Sequence, residues 1–277
     1  MKYKMIVSDL DKTLNNDQHM VSDENIAAIK KAVDAGIHFV LCSGRSQTSL
    51  SPYGKKLGLT NKGQYGVAFN GSVLYEADTG KTLSQTVVNK ELAVKIIRDI
   101  KSVGADIQFI IYLQEKHILS ECELEHVLFE YKDTEDIKVQ VVENLEDHIV
   151  EDVIGVGLTG ENEQLMKVRD ELLKIENKDY NIVPSGPVSI DFMPSATNKA
   201  RGMELLAKRL GIELDEIVSV GDNYNDIEMI KEAGLGIAVA NAVQPLKDVA
   251  NYITKLDNNN HLMTEVVDLV LRENEKL

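Results

Sequence analysis

Met5-Ile6-Val7-Ser8-Asp9-Leu10-Asp11-Lys12-Thr13-Leu14 is an apolar run that ends abruptly in two aspartates separated by one residue. A run of this length reads as a buried strand, and strand alternation sends every second side chain to one face. Asp9 and Asp11 are therefore expected on one side, the second where the strand is already turning into a loop. Two carboxylates so close repel each other, and one takes up a proton unless a cation lies between them. The remaining sequence is informative to the extent that it supplies what such a pair needs: further metal oxygens, groups for an anion, and a cover.

Downstream, Ser22 has the character of a helix N-cap, with Ile26, Ile29 and Val33 at helical spacing and Gly36 as the stop. Ile37 to Cys42 is a near-continuous apolar run, as expected of a parallel strand buried on both faces. It ends in Ser43-Gly44-Arg45-Ser46, and a second helix runs loosely to about Leu57. Tyr65 to Phe69 is a third run, followed by the turn dipeptide Asn70-Gly71 and a return through Val73-Leu74-Tyr75. Strand, helix, strand, helix, strand is the alternation of a doubly wound, mainly parallel, Rossmann-like sheet. In such sheets ligands bind outside the carboxyl ends of the strands. Asp9 and Asp11, Ser43 and Asn70 all fall at such ends.

From about residue 82 the alternation breaks down. Leu92, Ile96 and Ile97 mark a helix, Ile107 to Leu113 and Ile118-Leu119 a strand pair, and Leu124, Val127 and Leu128 another helix. Glu143, Glu146, Asp147, Glu151 and Asp152 read as a solvated acidic face. Val153 to Leu158 is a strand, Leu165 to Ile175 a helix, and Tyr180 to Val183 a strand. This pairing suits an inserted α+β domain over 82–188, with Pro184, Gly186 and Pro187 as a hinge back to a core made of 1–81 and 189–277. Within the returning segment, Ile190-Asp191-Phe192 leads to Pro194, a helix spans Lys199 to Leu210, and Gly211 ends it. Ile217 to Val220 is a further buried strand that ends in Gly221-Asp222-Asn223-Tyr224-Asn225-Asp226. A short helix through Ile230, a strand from Leu235 to Val239, a short helix between Asn241 and Asp248, an edge strand at Tyr252-Ile253, a loop at Asp257 to Asn260 and a helix over Val266 to Leu271 close the chain.

Composition narrows the function. The chain has 277 residues, a net charge of −15 and a pI of about 4.9. That balance argues against nucleic acid and against an anionic membrane surface. It leaves room for a small anionic substrate, since a metal and a few cations reverse the sign locally. Two cysteines, Cys42 and Cys122, make no disulfide framework, and the six histidines show no metal spacing. Without a signal-like N-terminus or an apolar run of membrane length, a soluble cytoplasmic protein is expected. Ser-His-Asp, GxGxxG and Walker signatures are absent.

If the strand before Asp222 lies beside the first, four carboxylates (Asp9, Asp11, Asp222, Asp226) converge. A hard divalent cation takes oxygen ligands, and Mg²⁺ usually takes few carboxylates together with waters and a substrate phosphate. Asp9, a carbonyl from the turn and Asp222 would suffice. A hydroxyl and an ammonium suit the equatorial oxygens of a transferring phosphoryl group. Ser43 offers the first, and Lys199, just ahead of a helix N-terminus, the second. Arg45 reads more as the partner of a carboxylate or the start of a helix than as a catalytic group.

These segments resemble the motifs of the haloacid-dehalogenase-like superfamily. Asp9-Leu10-Asp11-Lys12-Thr13-Leu14 is similar to the first motif, Ser43-Gly44-Arg45 to the second, Lys199 to the third, and Gly221 to Asp226 to the fourth. The Asn70-Gly71 turn and the insertion between the second and third motifs resemble the Cof-type subgroup with its large C2 cap. Ala200 departs from the pattern, many relatives having glycine after the lysine. The resemblance implies a Mg²⁺-dependent phosphatase acting on a small phosphorylated metabolite through an aspartyl phosphate. It implies that Asp9 attacks, and that Asp11 protonates the leaving oxygen and later takes a proton from water. Asp9, the Asp11 backbone carbonyl and Asp222 would hold Mg²⁺, with Asp226 orienting metal-bound water or Lys199. Ser43, Gly44, Arg45, Asn70, Lys199 and Asn225 form the implied phosphate and substrate set. The cap would close over the site and contact the leaving group. Asp11 favours phosphoryl transfer over dehalogenation, in which halide leaves without a proton. A phosphomutase and a non-catalytic phosphometabolite-binding regulator are the alternatives, and either a monomer or a homodimer is compatible.

Overall fold

The computed structural model describes residues 1–61, 63–104, 107–113, 117–122, 138–186 and 188–276. The helix expected at Leu124 to Leu128 and the expected hinge residue Pro187 lie outside them. The chain divides into two compact units, Met1–Ser84 with Asn198–Leu277, and Gln85–Thr197.

The first unit is built on an eight-stranded sheet. Its strands are β1 (Met5–Ser8), β2 (His38–Cys42), β3 (Tyr65–Ala68), β4 (Val73–Glu76), β5 (Thr82–Gln85), β12 (Ile217–Gly221), β13 (Leu235–Ala238) and β14 (Tyr252–Ile253), in the order β14-β13-β12-β1-β2-β3-β4-β5. From β14 to β3 all pairs are parallel; β3 and β4 are antiparallel, as the Asn70-Gly71 turn requires. The chain winds one way from β1 through β2 to β3 and the other way from β12 through β13 to β14. The reversal falls between β1 and β12, and ligand crevices form at such a switch point. All four residues of β1 are buried, which explains why this strand carries no polar alternation.

Helices α1 (Asp23–Asp34), α2 (Gln47–Lys56), α6 (Lys199–Leu210), α7 (Ile227–Glu232), α8 (Gln244–Lys247) and α9 (Leu262–Glu275) complete the unit. Ser22 caps α1, its hydroxyl accepting from the Asn25 N–H at 3.3 Å. Gly211 ends α6 in the left-handed conformation at φ 66°. Ala200, Met203, Leu206 and Ala207 of α6 pack with Met5, Val7, Val40 and Val67 on one face of the sheet. On the terminal side, α1 packs against α9. The latter extends well beyond the expected 266–271, because Leu262 and Met263 are also fully buried. No helix among the described residues is long and apolar enough to cross a membrane.

The second unit has a six-stranded sheet, ordered β10-β11-β9-β6-β7-β8. The strands are β6 (Gln108–Tyr112), β7 (His117–Ser120), β8 (Lys138–Val141), β9 (Gly155–Thr159), β10 (Tyr180–Gly186) and β11 (Ser189–Pro194). Its pairs are antiparallel except β7 with β8. Helices α3 (Lys90–Ser102) and α5 (Asn162–Leu172) bury Ile96, Ile97, Ile100, Leu165 and Val168 against Phe109, Val156, Leu158 and Phe192. The acidic stretch conceals a short helix, α4 (Leu145–His148), anchored by the fully buried Leu145.

Two expectations about this region change. Pro184 and Gly186 lie in β10, at a register shift of the β10–β11 hairpin, and do not form a hinge. The segment Ile190-Asp191-Phe192, expected in the core, pairs with β9 and β10. The chain therefore returns to the first unit at Asn198. Pairing of a strand with distant partners leaves no local mark in sequence, which is why the boundary was expected at 189.

Candidate active site

The site lies where the carboxyl ends of β1 and β12 meet. Asp9 is still tied to the sheet through its N–H, which donates to the Val220 carbonyl at 2.9 Å. Beyond it the chain leaves the strand for a tight turn over Leu10–Leu14, and Asp11 no longer follows strand alternation. The two aspartates accordingly reach different partners, contrary to the expectation that they share a face.

Asp9 faces inward. Its Oδ1 accepts from Lys199 Nζ at 2.5 Å, and the same ammonium donates to Asp226 Oδ1 at 2.7 Å. Lys199 is the first residue of α6 and is 1% exposed. Asn198 fixes the start of that helix, its side chain accepting from the Arg201 N–H at 2.8 Å. Asp226 is fully buried, and its Oδ2 accepts from the N–H groups of Asp222 (2.9 Å) and Asn223 (3.0 Å). Gly221 is required for this closure: a Cβ there would lie 2.5 Å from Asp226 Cγ. Its role is close approach. Asp222 accepts from Thr13 Oγ1 at 2.8 Å, joining the first and fourth motifs directly.

Oxygen atoms of Asp9, Asp222 and Asp226 all lie within 4.8 Å of one another. Burial pushes the Asp9 carboxyl up to about 6, against the opposing pull of Lys199. Burial, then the charges of Asp9 and Asp226, hold Asp222 well above the usual carboxylate range. For Lys199, burial works against the charge, but Asp226 and Asp9 outweigh it and raise the ammonium above an ordinary lysine. With all three carboxylates ionised, one ammonium leaves two negative charges in the cluster. A buried all-oxygen set with that imbalance fits a hard divalent cation.

Asp11 forms a second, more open group. Arg45 grips it in a fork, Nε to Oδ2 at 2.6 Å and Nη2 to Oδ1 at 2.8 Å. His19 Nδ1 lies 3.7 Å from Oδ1. Burial would raise this carboxyl, but the contacts with His19 and Arg45 outweigh burial and hold it well below the usual range. Arg45 thus has the carboxylate partner expected of it, and its guanidinium also sits over the Tyr53 ring, 5.6 Å from the centroid.

Ser43 is buried at the end of β2, its hydroxyl accepting from the Arg45 N–H at 3.2 Å. Ser46 is the residue that caps α2. Gly44 is partly exposed in the same turn. Asn70 is buried with φ 50°; its N–H donates to the Ser43 carbonyl at 3.0 Å, and its Oδ1 accepts from Asn225 Nδ2 at 3.0 Å. The second and fourth motifs are linked through that amide pair. Thr13 and His19 were not expected at the site. Thr13 had one signal, a β-branched residue in an otherwise polar turn, and it is fully buried. His19 had none. Cys42 and Cys122 are both free thiols.

Residues 6–265 match the family model for haloacid dehalogenase-like hydrolases. The chain is 30% identical over 254 residues to 5-amino-6-(5-phospho-D-ribitylamino)uracil phosphatase YcsE of Bacillus subtilis, covering 91% of this chain and 89% of that one. It is 25% identical over 252 residues to HMP-PP phosphatase of Serratia proteamaculans, covering 89% and 87%. A crystal structure of a haloacid dehalogenase-like hydrolase from Bacteroides thetaiotaomicron superposes with a TM-score of 0.81 at 27% identity, over 97% of this chain and 100% of that one. With the four motif segments gathered at one switch point and the family match spanning nearly the whole sequence, the chain belongs to the haloacid dehalogenase-like hydrolases.

Proposed function

We propose that this hydrolase is a Mg²⁺-dependent phosphatase that releases phosphate from a small phosphorylated metabolite by way of an aspartyl phosphate on Asp9. The observation that carries the reading is the buried trio Asp9, Asp222 and Asp226, with the Lys199 ammonium paired to Asp9 and Asp226. Asp9, Asp222 and the Asp11 carbonyl would hold the metal, which offsets the repulsion between a carboxylate nucleophile and an anionic phosphate.

Lys199 holds Oδ1 of Asp9, so Oδ2 is assigned the attack. The Asp9–phosphorus bond forms as the bond to the leaving oxygen breaks, and Asp11 gives that oxygen a proton. Water then attacks phosphorus, Asp11 takes its proton, and Asp9 is released with inorganic phosphate. The contacts with His19 and the fork from Arg45 keep Asp11 ionised. For the first step Asp11 must therefore leave these contacts and gain a proton. Ser43, Asn225 and Lys199 are assigned the phosphoryl oxygens. The substrate class follows the relatives, whose names specify phosphorylated small molecules. On this reading the second unit is the inserted cap that selects among them.

The test is hydrolysis of p-nitrophenyl phosphate with and without Mg²⁺. Wild type should turn over only with the metal, and Asp9→Asn should not turn over at all. Asp11→Asn should lose turnover but still bind Mg²⁺, because its assigned metal contact is a backbone carbonyl. Residual activity in rigorously purified Asp9→Asn would refute the assignment of the nucleophile.

A further inference from the structure

Between Asp11 and Thr13 the chain takes an unusual conformation. Lys12 is left-handed, with φ 58° and ψ 5°. A side-chain-bearing residue held there costs about 1–2 kcal/mol, so the surroundings must hold it. The structure shows what does. Asn241, in the loop between β13 and α8, donates its Nδ2 to the Lys12 carbonyl at 2.7 Å. The same amide accepts, through Oδ1, from the Asn258 N–H at 3.1 Å, which fixes which end of Asn241 faces Lys12. Asn258 is 4% exposed and donates its Nδ2 to the Asn15 carbonyl (3.1 Å) and to Asp17 Oδ1 (3.0 Å). Asn259 pairs with Asp17 in both directions at 3.1 Å. Residues far along the chain thereby hold the turn 12–17 by its carbonyls and its one carboxylate.

We propose that Asn241, oriented by Asn258, is a positioning residue for the metal site: it locks the left-handed Lys12 so that the Asp11 carbonyl and the Thr13 hydroxyl stay aligned with Asp222. The proposal rests on the functional reading above for its link to Mg²⁺. Capture of the Lys12 carbonyl fixes the peptide plane that leads into Thr13, and the Thr13 hydroxyl lies 2.8 Å from Asp222 Oδ1. If the carbonyl is released, Lys12 relaxes toward negative φ. The groups on either side of it then move relative to Asp222. Outer partners of this kind commonly cost 10–100-fold in metal affinity when removed.

The test uses Asn241→Ala and Asn241→Asp, the second keeping the acceptor for Asn258 while losing the donor to Lys12. Asn241 is exposed, so both variants should fold. Each is measured for Mg²⁺ binding by calorimetry and, metal-free, for amide hydrogen exchange over residues 10–17. Expected are affinity losses of roughly tenfold or more and faster exchange in both variants. Lys12→Gly supplies the decisive arm, because glycine takes positive φ without help. In the Asn241→Ala background it should recover most of the affinity and slow the exchange again, which a general loss of packing would not permit. Unchanged exchange over 10–17 in both variants, or failure of Lys12→Gly to restore it, would overturn the proposal. Absence of Mg²⁺ binding by wild type would refute the functional reading instead, and the exchange arm would still decide the lock.

Discussion

Replacing Lys199 by methionine tests the electrostatics of the site most directly. The ammonium is fully buried and 2.5 and 2.7 Å from Asp9 and Asp226, whose side chains are 8% and 0% exposed. Methionine keeps the length and removes the charge, which leaves Asp9, Asp222 and Asp226 together without a cation. Removing one partner of a buried ion pair costs about 3–5 kcal/mol, because the other charge remains in a poorly solvating place. For a unit of this size that is a fall in melting temperature of about 6–20 °C. Burial already raises Asp9 to about 6 and Asp222 well above the usual range, so their protons bind as pH falls. Loss of Lys199 raises both further. The penalty should be full near pH 7.5 and much reduced near pH 5, where neutral carboxyls no longer need the ammonium. Thermal melts of the metal-free variant and wild type at both values decide it, and saturating Mg²⁺ near pH 7.5 should narrow the gap. A variant that melts within about 2 °C of wild type near pH 7.5, or loses equally at both pH values, would refute the account of a cluster short of positive charge.

In the metal-free wild type, the raised Asp9 keeps its proton in the native state after the unfolded chain has released it. Stability should therefore fall, by an amount on the order of 3 kcal/mol, as pH rises through the ordinary aspartate range to about 6. Added Mg²⁺ should accordingly raise the melting temperature more near pH 7 than near pH 5. Arg45→Ala removes the fork on Asp11 and leaves His19 alone to offset burial; the Asp11 carboxyl should then titrate at a higher pH than in wild type, as read by ¹³C NMR of the carboxyl. Gly71→Ala would drive a Cβ into the Asn198 carbonyl at a position with φ 99°. It should cost at least about 2 kcal/mol in chemical denaturation and lower turnover by displacing the start of α6 and with it Lys199.

What the sequence made legible is what local chemistry encodes. The apolar run before Asp9, the cap at Ser22, the start of α6 at Lys199 and its stop at Gly211 each depend on neighbours within a few residues. The doubly wound sheet followed from alternation, but the nearness of Asp222 to Asp9 depended on β12 lying beside β1, which only the structure shows. The failures share a different cause. The strand β5, Thr82–Gln85, is mostly exposed and polar and so carried no apolar signal. β11 looked like core sequence because its partners are 30 to 36 residues upstream or across a hairpin. Asp11 was expected beside Asp9 because alternation was extended past the residue where the strand ends. Arg45 had two expectations, phosphate and carboxylate; the structure pairs it with Asp11, a choice that depends on the path of a loop 34 residues away.

The separations along the chain have a consequence for folding. Lys199 meets Asp9 across 190 residues, and Thr13 meets Asp222 across 209. Contacts of that range form late, because the loop entropy must be overcome before they contribute any stability. The parallel neighbours β1 and β12 must dock before the carboxylates meet. A nascent chain therefore carries Asp9 without Asp222 and Asp226, solvated and ionised, throughout synthesis of the first two hundred residues. The crowded, reactive arrangement comes into existence only as the native topology closes, so a misfolded or truncated chain has no means of presenting it.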